Sequence, residues 1–307
     1  MKVYVNGKML DRDKAVISVF DRGFLYGDAI FETMRSYGGR LFRAKDHLGR
    51  LYSTLRALKI KQPVADKEAE KAAYELLEIN GLIPDGKSPR EGASRAPQDA
   101  RIRITISRGE SEDRKMDISK SGPPTIVMTA EEYFPPPDKY YENGIAVDIA
   151  ESRRNSRTVL KNFKVVNYLD SILARNEALP KGCFDTIFLN DAGYVCEGST
   201  SNIFMVSGNK LLTPSLDCGV LPGITRKVIL EISRYAGLGM QEGKFILDDL
   251  KNASEAFITN SLFEVMPVVK VEEKIVGKGS VGVMTKKIHG LYRELIEKST
   301  ADTKQGA

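Results

Sequence analysis

Residues 164–178, KVVNYLDSILARNEA, hold the pattern on which the interpretation of this sequence depends. The apolar residues from Val165 onward recur at helical spacing, which predicts a helix that begins directly after a lysine. A lysine near a helix N-terminus in apolar surroundings has its pKa lowered toward the range in which the amine is nucleophilic. Lys164 is therefore a candidate for covalent catalysis. On spacing alone Lys161 is an equal candidate, and a solvated surface lysine is the commoner explanation for both.

Helices and strands are both predicted on either side of this segment. Before it, leucines at helical spacing predict a helix from Asp46 onward, a second amphipathic helix covers 66–79, and RIRITISRG at 101–109 alternates as a strand. After it, several short strands separated by turn residues follow between 185 and 214. The order of elements predicts an α+β protein.

The chain is predicted to form two domains. Residues 1–133 are interpreted as a small α+β N-terminal domain and the proline-rich segment 134–143 as an interdomain linker. Residues 144–298 form a larger sheet-rich C-terminal domain, and 299–307 a disordered tail. Within the first domain, residues 84–100 are rich in Gly, Pro, Ser and charge, which favours a mobile surface loop.

Composition argues against several functions. The 307 residues carry a formal charge of +5 spread among nearly as many acids, so no basic stripe indicates a nucleic-acid partner. The absence of a long apolar stretch and of a signal-peptide pattern predicts no membrane association and a cytoplasmic location. The three cysteines lack metal-ligand spacing. With only His47 and His289 as histidines, we expect no metal site and no Ser/His/Asp hydrolase.

Two further motifs suit an anionic, aromatic ligand. LPGITR at 221–226 places Ile224 and Thr225 in the first turn of a predicted helix, where free N–H groups favour a phosphate. Glu197 follows an apolar strand and precedes the small polar run GSTSN, so its carboxylate could keep a pyridine nitrogen protonated. A routine helix start and a solvent-facing glutamate are the simpler explanations of these two patterns.

Taken together, the motifs resemble those of a known family. KVVNYLDSILARNEA at 164–178, EGSTSNIF at 197–204, LPGITR at 221–226 and ITNSLFEVMPV at 258–268 resemble the motifs of class IV aminotransferases. DRGFLYGDAIFETMR at 21–35 and DHLGRL at 46–51 extend the resemblance over nearly the whole chain. The family includes branched-chain aminotransferases, D-amino acid transaminases and aminodeoxychorismate lyases. The resemblance implies the two-domain PLP fold type IV of D-amino acid aminotransferase, with pyridoxal 5'-phosphate (PLP) as cofactor.

The resemblance also implies roles for individual residues. Lys164, in the K-x-x-N-Y string, would be the catalytic lysine that holds PLP as a Schiff base and shuttles the proton. Glu197 would partner the pyridinium nitrogen. The other implied cofactor ligands are Arg50, Ile224, Thr225 and Ser261 at the phosphate and Tyr168 near the phenolic oxygen.

The residues that would bind the substrate resemble more than one branch of the family. Tyr26 and Phe31 resemble aromatic residues that line the pocket of branched-chain enzymes across a dimer interface. Arg103 resembles the arginine that those enzymes place near the substrate carboxylate. Thr33, in contrast, stands where those enzymes have glycine and is closer to the lyases.

Arginines give a further alternative for the carboxylate site. Arg35 with Arg103, or Arg101, could bind a carboxylate as in some D-amino acid transaminases. The segment SRGESEDRKMD at 107–117 lacks the arginine-x-histidine pair usual in that type. Surface ion pairs explain each of these arginines equally well.

We therefore expect a transaminase that uses an α-amino acid, of branched-chain type or D-configured, and a 2-oxo acid such as 2-oxoglutarate. Aminodeoxychorismate lyase is the alternative enzyme. A basic binding protein on the same scaffold, without cofactor, is the alternative outside catalysis. The expected partners are these small molecules and, from the resemblance, a second copy of the chain in a homodimer or larger oligomer.

Overall fold

A computed structural model describes residues 1–83, 99–112 and 116–301 of the chain. Most of the predicted loop 84–100 and residues 302–307 of the predicted tail lie outside the described residues. The chain divides into two compact units. Met1–Phe134 and Phe163–Asn167 belong to the first unit, and Pro135–Asn162 and Tyr168–Lys298 form the second.

The first unit is a six-stranded antiparallel sheet with helices. Its strands pair in the order β2-β1-β6-β5-β3-β4. The elements are β1 (Lys2–Val5), β2 (Lys8–Asp11), α1 (Arg22–Tyr26), β3 (Ala29–Tyr37), β4 (Arg40–Leu41), α2 (Ala44–Ala57), α3 (Asp66–Ile79), β5 (Asp99–Ser107) and β6 (Thr125–Glu132), with short 3₁₀ turns at Arg12–Lys14 and Ile118–Lys120.

The core of the first unit lies on one face of this sheet. Ile102, Ile104 and Ile106 of β5 are buried there because successive strand residues point to opposite faces. Leu48 and Leu51 of α2 belong to the same core cluster, as their helical spacing predicts. The opposite face of β5 carries Arg101 and Arg103, and Arg103 enters the candidate site.

The segment around Lys164 is extended, which corrects the helix predicted to begin at Val165. Val165 forms an isolated antiparallel bridge with Ile30 of β3. The Phe31 N–H donates to the Lys164 carbonyl at 2.9 Å, and the Val166 N–H donates to the Ala29 carbonyl at 3.1 Å. Two consecutive valines favour this strand-like pairing over a helix. The helix starts later, at Leu169.

The second unit is built around a nine-stranded mixed sheet. Its elements are α4 (Asp138–Asn143), β7 (Ile145–Ile149), α5 (Leu169–Ala178), β8 (Asp185–Leu189), β9 (Val195–Gly198), β10 (Asn202–Ser207), β11 (Lys210–Pro214), α6 (Ile224–Ala236), β12 (Gly239–Gly243), α7 (Leu247–Lys251), β13 (Glu255–Asn260), β14 (Glu264–Val271), β15 (Lys274–Ile275) and α8 (Val283–Ala301), with 3₁₀ turns at Leu179–Lys181 and Leu216–Cys218. The order is β12-β11-β10-β13-β14-β7-β8-β9, and β15 pairs with β14. Helix α4 occupies most of the segment interpreted as a linker.

Strand pairing closes part of this sheet on itself. Strand β9 pairs with β8 and also with β10, through Glu197 and Asn202, so six strands form a ring. The pairs β7–β8, β7–β14 and β11–β12 are parallel, and the other pairs are antiparallel. Closure brings together the end of β9, the start of β10 and the end of β13, and Glu197 and the turn that carries Ser261 lie there.

Candidate active site

In the first unit, Lys164 lies beside an aromatic ring that also contacts an arginine. Its Nζ is 4.5 Å from the centroid of the Phe31 ring. The guanidinium carbon of Arg103 is 3.8 Å from the centroid of the same ring. Phe31 is buried and follows directly after the bridge that fixes the Lys164 backbone. Three residues predicted separately, Lys164, Phe31 and Arg103, are thus adjacent in the structure.

A buried carboxylate orients the predicted phosphate-binding arginine. Arg50 on α2 donates from Nε to Oε1 of Glu32 at 2.7 Å and from Nη2 to Oε2 at 2.8 Å. The Nδ1 of His47, one turn earlier on α2, is 2.8 Å from the same Oε2. Both Glu32 and His47 are fully buried. The bidentate pair fixes the plane of the Arg50 guanidinium.

The electrostatics of this cluster follow from burial and charge. Burial by itself would raise the pKa of Glu32, but the charge of Arg50 and hydrogen bonds from His47 and Arg50 hold it well below its usual range. Burial lowers the pKa of His47; Glu32 opposes this, while the charges of Arg50 and Lys164 add to it. The cluster is therefore a glutamate anion, an arginine cation and a neutral histidine at neutral pH.

The other predicted substrate residues have different neighbours. Arg35 is buried and forms an ion pair with Asp99, with an Nε–Oδ2 distance of 3.0 Å. Its guanidinium also stacks on the rings of Tyr37 and Tyr133. Four residues of strand, about 13 Å at ~3.3 Å per residue, separate Arg35 from Phe31. Tyr26 is exposed at the end of α1.

In the second unit, Glu197 is tied to the loop before α6. Its Oε2 accepts a hydrogen bond from the Leu221 N–H at 2.9 Å. Asn202, opposite Glu197 in the strand pairing, donates from Nδ2 to the Leu221 carbonyl at 2.9 Å. A Cβ on Gly223 would lie 2.0 Å from the Asn202 Oδ1, so a larger residue here would displace the Asn202 side chain that donates to Leu221. These contacts fix the Glu197 carboxylate and the start of α6 relative to each other.

The start of α6 fits an anion. Gly223 is the N-cap, so no side chain satisfies the free N–H groups, and the first turn has no acidic residue. Thr225 is 2% exposed, and its Oγ1 has no hydrogen-bond partner within the part of the chain that the structure describes. A buried hydroxyl without a partner is costly. A phosphate bound here would satisfy it together with the N–H groups of Ile224 and Thr225.

Ser261 lies in the turn between β13 and β14. The Asn260 Oδ1 accepts hydrogen bonds from the N–H groups of Leu262 and Phe263, both at 2.9 Å. The Asn260 Nδ2 donates to the Thr200 carbonyl at 3.2 Å, which connects this turn to the GSTSN loop. Tyr168, the remaining predicted ligand, is the N-cap residue of α5.

Three site residues were missed in the sequence. Glu32 and His47 orient Arg50 and lie inside the two N-terminal motifs, so the motifs contained their signal. Asp185 in β8 is the third: its buried carboxylate accepts hydrogen bonds from the hydroxyls of Ser199 and Ser201. Asp185 shapes the GSTSN loop after Glu197, and no local sequence pattern marks it.

No metal-binding group of three His, Cys, Asp or Glu residues occurs among the described residues. A search of the same residues found no helix long and apolar enough to span a membrane.

Comparisons with known proteins identify the fold first. The crystal structure of the branched-chain amino acid aminotransferase of Escherichia coli is similar, with a TM-score of 0.85 and 25% identity, and the match covers 96% of this chain and 94% of that one. The fold is PLP fold type IV, as expected from the sequence.

The family follows from sequence comparison. The model of the amino-transferase class IV family matches residues 29–271. A protein of Methanocaldococcus jannaschii that bears the name of a branched-chain-amino-acid aminotransferase is 36% identical over 96% of both chains. The aminodeoxychorismate lyase of Bacillus subtilis is 35% identical over 96% of this chain and 94% of its own length. The chain belongs to the class IV aminotransferase family, whose members use PLP, and this confirms the family and cofactor expected from the sequence.

Proposed function

We propose that this member of the family transfers the amino group of an α-amino acid, of branched-chain type or D-configured, to a 2-oxo acid such as 2-oxoglutarate. The observation that supports this most directly is that the Lys164 amine and the Arg103 guanidinium contact the same ring, that of Phe31. The arrangement places the Lys164 amine next to a cation able to bind a carboxylate.

The residues present fit PLP. Lys164 would hold it covalently, and Glu197 would pair with its ring nitrogen. Arg50, Ser261, Thr225 and the N–H groups at the start of α6 would bind its phosphate, with Tyr168 near its phenolic oxygen. When bound, PLP supplies the electron withdrawal that makes the α-proton of an amino acid removable.

The protein's own contribution is orientation and proton transfer. Nζ of Lys164 would take the α-proton from the substrate and return it during transfer. Arg103 would hold the substrate carboxylate, and the Phe31 ring would exclude water on one side of the lysine. Glu197, fixed by its hydrogen bond from Leu221, would keep the cofactor nitrogen protonated. Tyr26 and Arg35 are proposed as outer substrate contacts.

Aminodeoxychorismate lyase is the second candidate, and one residue favours it. Thr33 resembles the lyases and lies directly opposite Arg103 in the pairing of β3 with β5. The similarity to the Bacillus subtilis lyase agrees with this alternative.

A panel of L- and D-amino acids, each tested in the half-reaction with purified protein and followed by the visible spectrum of PLP, tests the proposal. A transaminase loses the visible band of its bound cofactor with its amino acid and regains it with the 2-oxo acid. A lyase releases pyruvate from aminodeoxychorismate without an acceptor, and a binding protein stays colourless. No response to any amino acid, with PLP bound, would refute the proposed transaminase.

A matched pair of variants tests the carboxylate site. Arg103→Ala should raise the KM for the amino acid at least tenfold, because a charge-assisted contact is lost. Arg101→Ala is the control: it lies on the same face of β5, is exposed and pairs with Glu131, and should leave KM unchanged. Equal effects of the two variants on KM would contradict the proposal that Arg103 binds the substrate carboxylate.

We also propose a homodimer. The segment 16–25 exposes a dense group of large apolar side chains, namely Val16, Ile17, Val19, Phe20, Phe24 and Leu25. So many exposed large apolar side chains within one short segment favour an interaction site. Light scattering should give twice the mass of one chain. Phe24→Lys should lower the measured mass, whereas Tyr235→Lys, which replaces another exposed aromatic residue, should leave it unchanged. A cytoplasmic location stays a prediction.

A further inference from the structure

Glu264 has a backbone conformation that residues other than glycine rarely adopt. Its φ is 65°, in the left-handed region, and it is the first residue of β14, directly after the turn that carries Ser261. Such a conformation costs free energy in a residue other than glycine and persists only where the surroundings enforce it. Strained residues of this kind concentrate at binding sites.

Helix α8 holds the side chain of Glu264. Its buried carboxylate accepts hydrogen bonds through Oε2 from the His289 Nε2 at 2.9 Å and from the Arg293 Nε at 3.1 Å. The His289 ring stacks on Tyr141, with centroids 5.5 Å apart. The Tyr141 hydroxyl donates to the Phe263 carbonyl at 3.1 Å. His289 and Arg293 on α8 thus hold the side chain of Glu264, and Tyr141 on α4, which stacks on His289, holds the peptide group before it.

The other end of the turn is held separately. Asn260 binds the N–H groups of Leu262 and Phe263 through its side chain. The turn is therefore fixed at Asn260 and at Glu264, and Ser261 lies between these two points. A change at Glu264 would alter the backbone of the turn without removing any group that contacts a ligand.

We propose that Glu264 is a positioning residue: its carboxylate, held by His289 and Arg293, keeps the turn that carries Ser261 in the conformation that binds the cofactor phosphate. This inference rests on the proposed role of Ser261 as a phosphate ligand. Glu264 acts through the turn and does not touch the ligand.

The test measures the affinity of cofactor-free protein for pyridoxamine 5'-phosphate by calorimetry, because this ligand has the phosphate but forms no bond to Lys164. Glu264→Gln should weaken binding at least fivefold. Glu264→Gly, which tolerates the positive φ but lacks the carboxylate, should weaken it at least as much. Normal affinity of the glycine variant would overturn the proposal, because the carboxylate would then have no positioning role.

Glu272 provides a matched control. It is also a glutamate with positive φ, 50°, and its carboxylate pairs with Lys251, but it lies in the hairpin between β14 and β15. Glu272→Gln and Glu272→Gly should change the affinity for pyridoxamine 5'-phosphate less than twofold, because this hairpin carries none of the proposed phosphate ligands. Equal losses of affinity at positions 264 and 272 would show a general effect of stability and overturn the proposal.

Two further variants separate this inference from the proposed function. If Ser261→Ala weakens binding and Glu264→Gln does not, the positioning role is wrong and the phosphate role of Ser261 stands. If Glu264→Gln weakens binding and Ser261→Ala does not, the serine assignment fails, and the proposal that rests on it is overturned as well. Should the Glu264 variants not fold, His289→Gln must weaken binding in the same direction, and unchanged affinity in that variant overturns the proposal.

Discussion

Replacing Thr225 by valine should stabilise the cofactor-free protein and weaken phosphate binding, two effects of opposite sign. Valine has nearly the same shape and the same branched Cβ, so packing is preserved. The Thr225 hydroxyl is buried without a partner among the described residues, and its removal should raise the free energy of unfolding by about 1–2 kcal/mol. A hydrogen bond to a charged phosphate contributes about 1.5–3 kcal/mol, so the Kd for pyridoxamine 5'-phosphate should rise roughly 10- to 100-fold.

The two measurements are urea unfolding of the cofactor-free protein and calorimetric titration with pyridoxamine 5'-phosphate. Thr213→Val is the matched control in the same unit. Thr213 is equally buried, but its Oγ1 donates to the Ile203 carbonyl at 2.8 Å, so valine should destabilise by about 1 kcal/mol and leave affinity unchanged. A Thr225→Val protein that is less stable than the wild type, or that binds the ligand equally well, would refute the reasoning that this hydroxyl is reserved for an anion.

Three more predictions concern the two units. Lys164→Ala should stay folded but lose the visible absorption band of covalently bound PLP, the band that borohydride reduction removes. Lys161→Ala should retain this band. Its presence in Lys164→Ala would exclude Lys164 as the covalent site. In Glu197→Gln the glutamine can still accept the hydrogen bond from Leu221, so cofactor affinity should change little. Turnover should fall by about 10²-fold or more, because the ring nitrogen of PLP loses its carboxylate partner. Undiminished turnover would contradict the role of Glu197 at the ring nitrogen. Burial lowers the pKa of His47 below the unfolded value of about 6.5, so the unfolded chain binds a proton at a pH at which the folded protein does not. The free energy of unfolding should therefore fall as the pH drops from about 7 to 5. His47→Gln should flatten this dependence, which urea unfolding at both pH values can check.

Local periodicity predicted the elements of the first unit well. The alternation in RIRITISRG predicted β5, and the structure buries its three isoleucines on one face. The pattern over 66–79 predicted α3 with both ends correct. Such predictions succeed because burial of one face alone fixes the spacing of apolar residues.

The segment around Lys164 shows where periodicity fails. Residues from Val165 onward fit a helix locally, yet Lys164 and Val166 hydrogen-bond to β3, a strand that lies more than a hundred residues earlier in the chain. Tertiary pairing overrides local preference at such points, and one sequence cannot reveal the partner. The same limit applies to Glu32, whose partners His47 and Arg50 come from a different element.

The Glu32 cluster also limits what Arg50 can contribute to anion binding. Two nitrogens of its guanidinium already donate to Glu32, and the glutamate charge largely cancels that of the arginine. Arg50 therefore contributes directed hydrogen bonds to the phosphate more than net positive charge. A phosphate still requires a positive potential, and the uncapped start of α6, with Thr225 and without an acidic residue in its first turn, is the feature of the second unit that supplies one. On this argument the affinity for the phosphate should depend more on Thr225 and the α6 amides than on the formal charge of Arg50.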